Sequence, residues 1–250
     1  MARIELRDVT IYVQDGLSGT ANLSANATLN DAEIEVNTVV LNSTVNDQIP
    51  IGARLTINGE TVATVHTVTA RTPSDGTTTN INITPVVGAG SYNSGNAEGA
   101  LTFISQRLEI KVGEGNLTWS ETKEYEYLRD RGDLDTVKEG DEQPVEMSLE
   151  FVYEYIKSAS GGDVTPVDAL KNQGEADEWV STSDDLCEPY CVDITAKHCV
   201  PCGTDEDEDV SFTFFRYESL DFDMGEATIA VSGKCNVSEP AITRSTDAEC

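Results

Sequence analysis

Residues 145–156 read Val-Glu-Met-Ser-Leu-Glu-Phe-Val-Tyr-Glu-Tyr-Ile. Val145, Met147, Leu149, Phe151, Tyr153 and Tyr155 share one parity, and Glu146, Ser148, Glu150 and Glu154 share the other. That period of two belongs to a strand with one face on a core and the other in solvent. Working outward, Ala227–Val237 repeats the pattern and ends in the alternating Gly233, Cys235 and Val237. At the N-terminus Ile4 and Leu6 hold one parity and Val9, Ile11 and Val13 the other. A strand over Ile4–Asp15 therefore requires a bulge near Arg7-Asp8. Turn residues recur, and most segments between them alternate, so the fold class is mainly β. One helix is expected. Thr165 serves as N-cap, Pro166 takes the first position and Asp168 sits in the first turn, where the helix dipole favours a carboxylate. Gly174 or a residue soon after ends it. One helix beside many strands predicts a β-sandwich with a flanking helix.

The stretch from about Leu17 to Leu101 differs in composition, being rich in Thr, Asn, Ala, Val and Gly and poor in charge and aromatics. Strands are expected over Glu33–Leu41, Arg54–Ile57, Thr61–Ala70 and Asn80–Thr84. The turn signals between them are Asn46-Asp47, Asn58-Gly59 and Asp75-Gly76. The flanking strands, Ile4–Asp15 and Gln106–Val112, carry the heavier charge of the C-terminal part. Residues 17–101 are therefore read as a small β-module inserted into a hairpin of a main domain made of 1–16 and 102–250.

Net charge is −29, unevenly spread: residues 1–106 hold 4 basic and 10 acidic side chains, residues 107–250 hold 12 and 35. Such a field repels phosphate backbones and argues against nucleic-acid binding. It fits either plain solubility or a surface past which nucleic acid moves without sticking. The charged N-terminus lacks the apolar run of a signal peptide, and no stretch approaches a membrane span, so a soluble chain made in the cytoplasm and touching no membrane is expected.

Catalytic patterns are missing. The two histidines are His66 and His198, and His66 lies in Thr-Val-His-Thr-Val-Thr, the pattern of a sheet residue. No phosphate loop and no dinucleotide fingerprint occur, so no cofactor is expected. Carboxylates are abundant enough for a glycosidase pair, but 6% aromatic residues is thin for a sugar cleft. Cys187, Cys191, Cys199 and Cys202 have spacings open to zinc. A strand starting at Cys191 sets the two pairs about 20 Å apart at roughly 3.3 Å per residue, so no metal is expected, and packed thiols or disulfides formed outside the cell remain. Asp205–Asp209 is read as a solvated turn. Arg131-Gly132-Asp133 is read as part of a charged loop rather than an adhesion tripeptide. The Asn-x-Ser/Thr triplets at Asn22, Asn26, Asn42 and Asn116 carry little meaning without a secretory signal.

Five phrases occur in a fixed order: Lys111-Val-Gly-Glu-Gly-Asn-Leu-Thr-Trp-Ser-Glu; the run from Leu128 to Val145 leading into the strand above; Cys187-Glu-Pro-Tyr; Phe215-Arg-Tyr-Glu-Ser-Leu-Asp-Phe-Asp; and Val231-Ser-Gly-Lys-Cys-Asn-Val. Together they resemble the major tail tube proteins of tailed bacteriophages over residues 1–16 and about 104–244. The resemblance implies a β-sandwich with a flanking helix that forms homohexameric rings stacked into a tube. The tube would have an acidic lumen through which the genome is ejected, with DNA passing without specific binding. It also implies a place in the virion tail after assembly in the host cytoplasm, with tape measure, tail terminator and distal tail proteins as partners. Residues 17–101 are not part of that common core and are expected on the outer surface. Arg129–Gln143 is expected to be a long charged loop between subunits, with Arg129, Arg131, Asp133, Asp135, Lys138, Glu139 and Asp141 as its contact residues. Two other readings are a virion decoration or host-adhesion β-domain, and a hydrolase using paired carboxylates.

Overall fold

A computed structural model of the chain describes residues 9–42, 44–45, 49–73, 78–90, 92, 99–110, 116–131, 133–152, 164–183, 185, 187–198 and 207–245. The bulge expected near Arg7-Asp8, the turns at Asn46-Asp47 and Asp75-Gly76, and Tyr153–Ile156 lie outside them. The chain divides into two compact units: Met1–Gln14 with Leu108–Glu175 and Leu186–Cys250, and Asp15–Arg107 with Ala176–Asp185. The second is wider than the module read from composition, and it recruits a segment far downstream.

The first unit contains β1 (Val9–Gln14), β9 (Arg107–Ile110), β10 (Leu117–Ser120), β11 (Lys123–Asp130), β12 (Asp133–Glu142), β13 (Val145–Val152), β14 (Val192–His198), β15 (Asp207–Asp223), β16 (Thr228–Cys235), β17 (Ala241–Ser245) and one helix, α1 (Pro166–Lys171). Its main sheet has the order β10-β13-β16-β15-β14-β1-β9, with β17 also on β15. The N-terminal part of β15 pairs with β14, up to Phe215 opposite Val192, and the C-terminal part, from Phe215 opposite Cys235, pairs with β16. Between these parts Phe214 takes a left-handed φ of 58°, its N–H donates to Asp193 Oδ1 at 2.9 Å, and the β14 register slips. This bulge divides the sheet into two layers with a shared core.

Val145, Met147, Leu149 and Phe151 from β13 and Ile229 and Val231 from β16 are buried, as are Ile11 and Val13 from β1, Ile194 from β14 and Phe212 from β15. Trp119 of β10 meets Phe212 edge-on with ring centroids 5.3 Å apart, joining the end of one layer to the other. Gly233 has no room for a side chain, because a Cβ there would lie 2.2 Å from the Arg216 carbonyl and 2.7 Å from the Phe215 ring. The arrangement is a β-sandwich.

Helix α1 begins as its sequence dictates. Thr165 Oγ1 accepts from the Asp168 N–H, and the Asp168 carboxylate reaches back to the Thr165 N–H, a reciprocal capping box. Val167, Ala169 and Leu170 are buried. The helix stops earlier than expected, at left-handed Asn172 rather than at Gly174. Asparagine tolerates that conformation because its short polar side chain bonds locally. Asp207–Asp209 form the start of β15, not a turn, since each pairs with β17 and Glu208 and Asp209 also pair with β14.

The second unit contains β2 (Gly19–Leu23), β3 (Glu33–Leu41), β4 (Thr44–Val45), β5 (Arg54–Ile57), β6 (Val65–Pro73), β7 (Thr78–Thr84) and β8 (Ala100–Ile104). Its strands run β2-β8-β5-β6-β7-β3, and β2 pairs again with β3, which closes a barrel with β4 appended to β3. In β3, Ile34 and Val36 point inward on even positions, but Val39 and Leu41 do so on odd ones. The pairing explains the slip: Thr20 faces Val40 while Asn22 faces Asn37, a bulge that reverses the parity. Leu23, Leu55, Val68, Ile81, Leu101 and Phe103 complete the apolar interior.

The downstream segment is fastened to this barrel by charge. Arg71 Nη1 and Nη2 each donate to Glu178 at 2.9 Å, and Glu178 Oε2 also accepts from the Ile51 N–H. Asp15, 2% exposed, accepts at Oδ1 from the Gln106 and Leu17 amides and at Oδ2 from that of Val180. One carboxylate thus joins three stretches distant in sequence. Burial pushes the Asp15 carboxyl up from 3.8 to about 6, against the pull of those amides. The folded unit then holds the proton more tightly than the unfolded chain. The stability from protonated Asp15 is complete below the unfolded value and is lost as pH rises through the folded one. Lowering the pH from 7 to 4 is expected to stabilise the second unit by on the order of 2 kcal/mol through this group. Urea denaturation of Trp119→Phe, followed by Trp179 fluorescence, checks this, and adding Asp15→Asn should remove that part of the slope.

Candidate functional site

Residues 123–142 form a separate two-stranded sheet, β11 against β12. The charged run expected as a loop is therefore a β-hairpin arm. The reason is in its residues: Tyr125 and Tyr127 alternate with Glu124 and Glu126, and Leu134, Thr136 and Val137 favour strands. The register sets Lys123 opposite Glu142, Tyr125 opposite Glu139, Glu126 opposite Lys138 and Tyr127 opposite Val137. After a bulge at Leu128/Arg129, Arg129 faces Leu134 and Asp130 faces Asp133. Arg131 makes the turn with φ 52°.

The arm gathers the expected contact residues into one element. Arg129, Arg131, Asp133 and Asp135 lie at or near its tip, Lys138 and Glu139 stand midway, and Asp141 is near its base. It also holds a feature that charge alone hid. Tyr127 and Val137 are direct cross-strand partners on one face, with Tyr125 following two residues before Tyr127 on that face. Tyr127 is 58% exposed, Val137 54%, Tyr125 48% and Leu134 68%. The signal was available in the alternation Lys-Glu-Tyr-Glu-Tyr, but the surrounding carboxylates outweighed it. At the base, Lys123 Nζ lies 3.7 Å from Glu239, beside a cleft of about 210 Å³ lined by Glu124, Glu139, Asp141 and Glu142.

Two further surfaces belong to the sandwich. The solvent face of β10, β13 and β16 forms an open groove of about 510 Å³ with Thr118, Ser120, Glu146, Ser148, Ser232 and Lys234, and Glu218 also lines it. Lys234 Nζ is 3.2 Å from Glu146 Oε1, so its charge is matched within the groove. An apolar cleft of about 290 Å³ opens between Val9, Leu117, Trp119, Ala196 and Val210, with His198 and Glu208 at its rim. Glu208 is engaged by Arg244 at 2.7 Å.

Of the cysteines, Cys187 is exposed and Cys191 and Cys235 are buried, while Cys199, Cys202 and Cys250 lie outside the described residues. Burial, then the Asp193 carboxylate, push the Cys235 thiol up to about 12, which leaves it neither a ready nucleophile nor a thiolate ligand at neutral pH. Among the described residues no group of three or more His, Cys, Asp or Glu side chains is placed to hold a metal ion, and no helix is long and apolar enough to cross a membrane. His66 stands in β6, buried beside Glu60.

Comparison of the chain with protein-family models, with curated proteins and with solved structures gives no match. A two-stranded hairpin that is exposed along nearly all of its first strand is marginal in water. In the monomer the amides of β11 and β12 are expected to exchange roughly a hundredfold faster than those of β13, which is buried between β10 and β16. Hydrogen exchange resolved by mass spectrometry or NMR checks this.

Proposed function

We propose that the chain is a structural protein that assembles with copies of itself into stacked rings forming a tube of the bacteriophage tail type. The observation that carries the reading is the arm: a hairpin of roughly 26 Å at about 3.3 Å per residue, with an uncovered Tyr125–Tyr127–Leu134–Val137 stripe among charges. An apolar stripe left in water serves no fold of its own and gains by burial against another molecule. The flanking charges, Arg129, Arg131, Asp133, Asp135, Lys138, Glu139 and Asp141, set register and partner choice more than affinity. Among the described residues the main sheet ends at β10 and β9, and β17 pairs with β15 alone, so ring formation by edge pairing would cover backbone groups that otherwise invite aggregation. Head-to-tail contacts that close give rings, and contacts that do not close give filaments.

In this reading the hydroxyl- and carboxylate-bearing groove of β10, β13 and β16 is a suitable channel wall. Its lysine is already matched by Glu146, so a DNA phosphate meets no unengaged cation there. The barrel unit, with 3 basic and 12 acidic residues against 13 and 33 in the sandwich unit, carries the smaller share of the charge and is assigned to the outside. The partners are further copies, then the tape measure, terminator and distal proteins of a virion tail.

Negative-stain microscopy of the purified protein is expected to show rings or tubes with a central channel. Tyr127→Ser with Val137→Ser should change monomer stability by no more than about 0.5 kcal/mol, both side chains being exposed, yet abolish tubes. Monomer alone at high concentration by ultracentrifugation, or normal tubes from the double variant, would refute the reading.

A further inference from the structure

The sandwich unit leaves two apolar features in water, and they are of opposite shape. One is raised. On the arm, Tyr127 stands opposite Val137 and, past the bulge, Arg129 stands opposite Leu134, so Tyr125, Tyr127, Leu134 and Val137 share one face. The other is the recess of about 290 Å³ between Leu117 and Trp119 of β10 and Val9, Ala196 and Val210 of the facing layer.

Strand register accounts for the recess. Ile11 faces Ala196 and Ala196 faces Val210, and two residues along the same face Val13, Ile194 and Phe212 lie in the core. Val210 in turn faces Ile242 of β17, which carries the apolar wall outward and is 52% exposed. The recess is therefore an end of the sandwich core left without a cover. Trp119 borders both regions: it meets Phe212 in the core, yet 43% of it is exposed.

We infer that the arm of one copy seats in this recess of the next, with Tyr127 against Trp119 and Val210. The contact presupposes the self-assembly proposed above and supplies its receiving surface. Raised stripe and recess belong to different sheets of the same unit, the arrangement of a head-to-tail contact in which each copy gives an arm and receives another. The uncovered parts of the four arm side chains come to on the order of 400 Å². A standard interface takes roughly 800 Å² from each partner, so one arm in one recess is too little to hold a separate protein. Repeated around a closed ring of copies, the same contact is enough. Charge agrees with this occupant. Glu139 stands opposite Tyr125 at one end of the stripe, and at the rim Arg244 engages Glu208 while staying 62% exposed. A carboxylate arriving there meets a cation, which orients the arm more than it adds affinity.

Trp119 reports whether the recess is filled. In the full chain with Trp179→Phe, its emission should move to shorter wavelength as rising concentration drives assembly, and Tyr127→Ser with Val137→Ser should abolish that shift. Ile242→Asp, on the receiving side, should raise the concentration needed for assembly about tenfold or more while leaving urea denaturation of the monomer unchanged. The photo-crosslinker p-benzoylphenylalanine in place of Tyr127 should attach to peptides holding Trp119, Val210 or Ile242. In mixtures of light and heavy isotope-labelled chains, the product should join one to the other. Rings with an unshifted Trp119, rings from Ile242→Asp at the usual concentration, or crosslinks confined to one chain would overturn the contact and leave the tube reading standing. A shift with irregular oligomers in place of rings would support the contact and sink the tube. A chain that stays monomeric at every concentration would overturn both. Emission and crosslinking decide the matter even if Ile242→Asp fails to fold.

Discussion

The hydrogen bond from the Phe214 amide to Asp193 Oδ1, 2.9 Å long, fixes the bulge about which the sandwich turns. A bulky residue in the left-handed region costs on the order of 1–3 kcal/mol, so something must hold it there. The holding group is a carboxylate on β14, and the Phe214 carbonyl in turn accepts from the Asn236 N–H at 3.4 Å. With the bulge in place, a strand of 17 residues serves both layers. Phe212 and Phe215 then both enter the core despite their odd spacing. Phe215 comes to rest against Gly233, and Phe212 against Trp119.

The barrel depends on a different device. Two of its buried or half-buried ionisable groups join segments far apart in sequence: Asp15 with Gln106 and Val180, and Arg71 with Glu178. Apolar packing is non-directional, whereas a carboxylate that must find particular N–H groups admits few arrangements. The cost of burying charge is offset where each oxygen has a donor. At Asp15 it is offset only in part, which is why burial still governs that carboxyl.

Local pattern made much of this legible. Strands Glu33–Leu41 and Arg54–Ile57 have the bounds that alternation predicts, and the helix starts where Thr165, Pro166 and Asp168 place it. Elsewhere the failures share a cause. Composition put the module's edges at residues 17 and 101, but β8 runs on to Ile104, and the polar Asp15 and Gln106 belong inside because of hydrogen bonds rather than hydropathy. The segment 176–185 has no local signature, since its attachment is an ion pair to an arginine 107 residues away. The arm was obscured differently. Its carboxylates read as loop, while the tyrosines and β-branched residues between them read as strand, and on a hairpin exposed on both faces neither pattern is resolved by burial.

The interleaving of the two units constrains how the chain acquires its structure during synthesis. The barrel's strands have all emerged once Ile104 is made, yet Glu178 and Trp179 come much later, so the barrel waits with part of its surface incomplete. The sandwich waits longer still, because β1 near the N-terminus pairs with β14, and β14 pairs with β15. Contacts of such large sequence separation carry a high loop-closure cost and fold slowly. A nascent chain with unpaired edges is exposed to aggregation meanwhile, and the strong like charge of its C-terminal half keeps neighbouring unfinished chains apart until the last strands arrive.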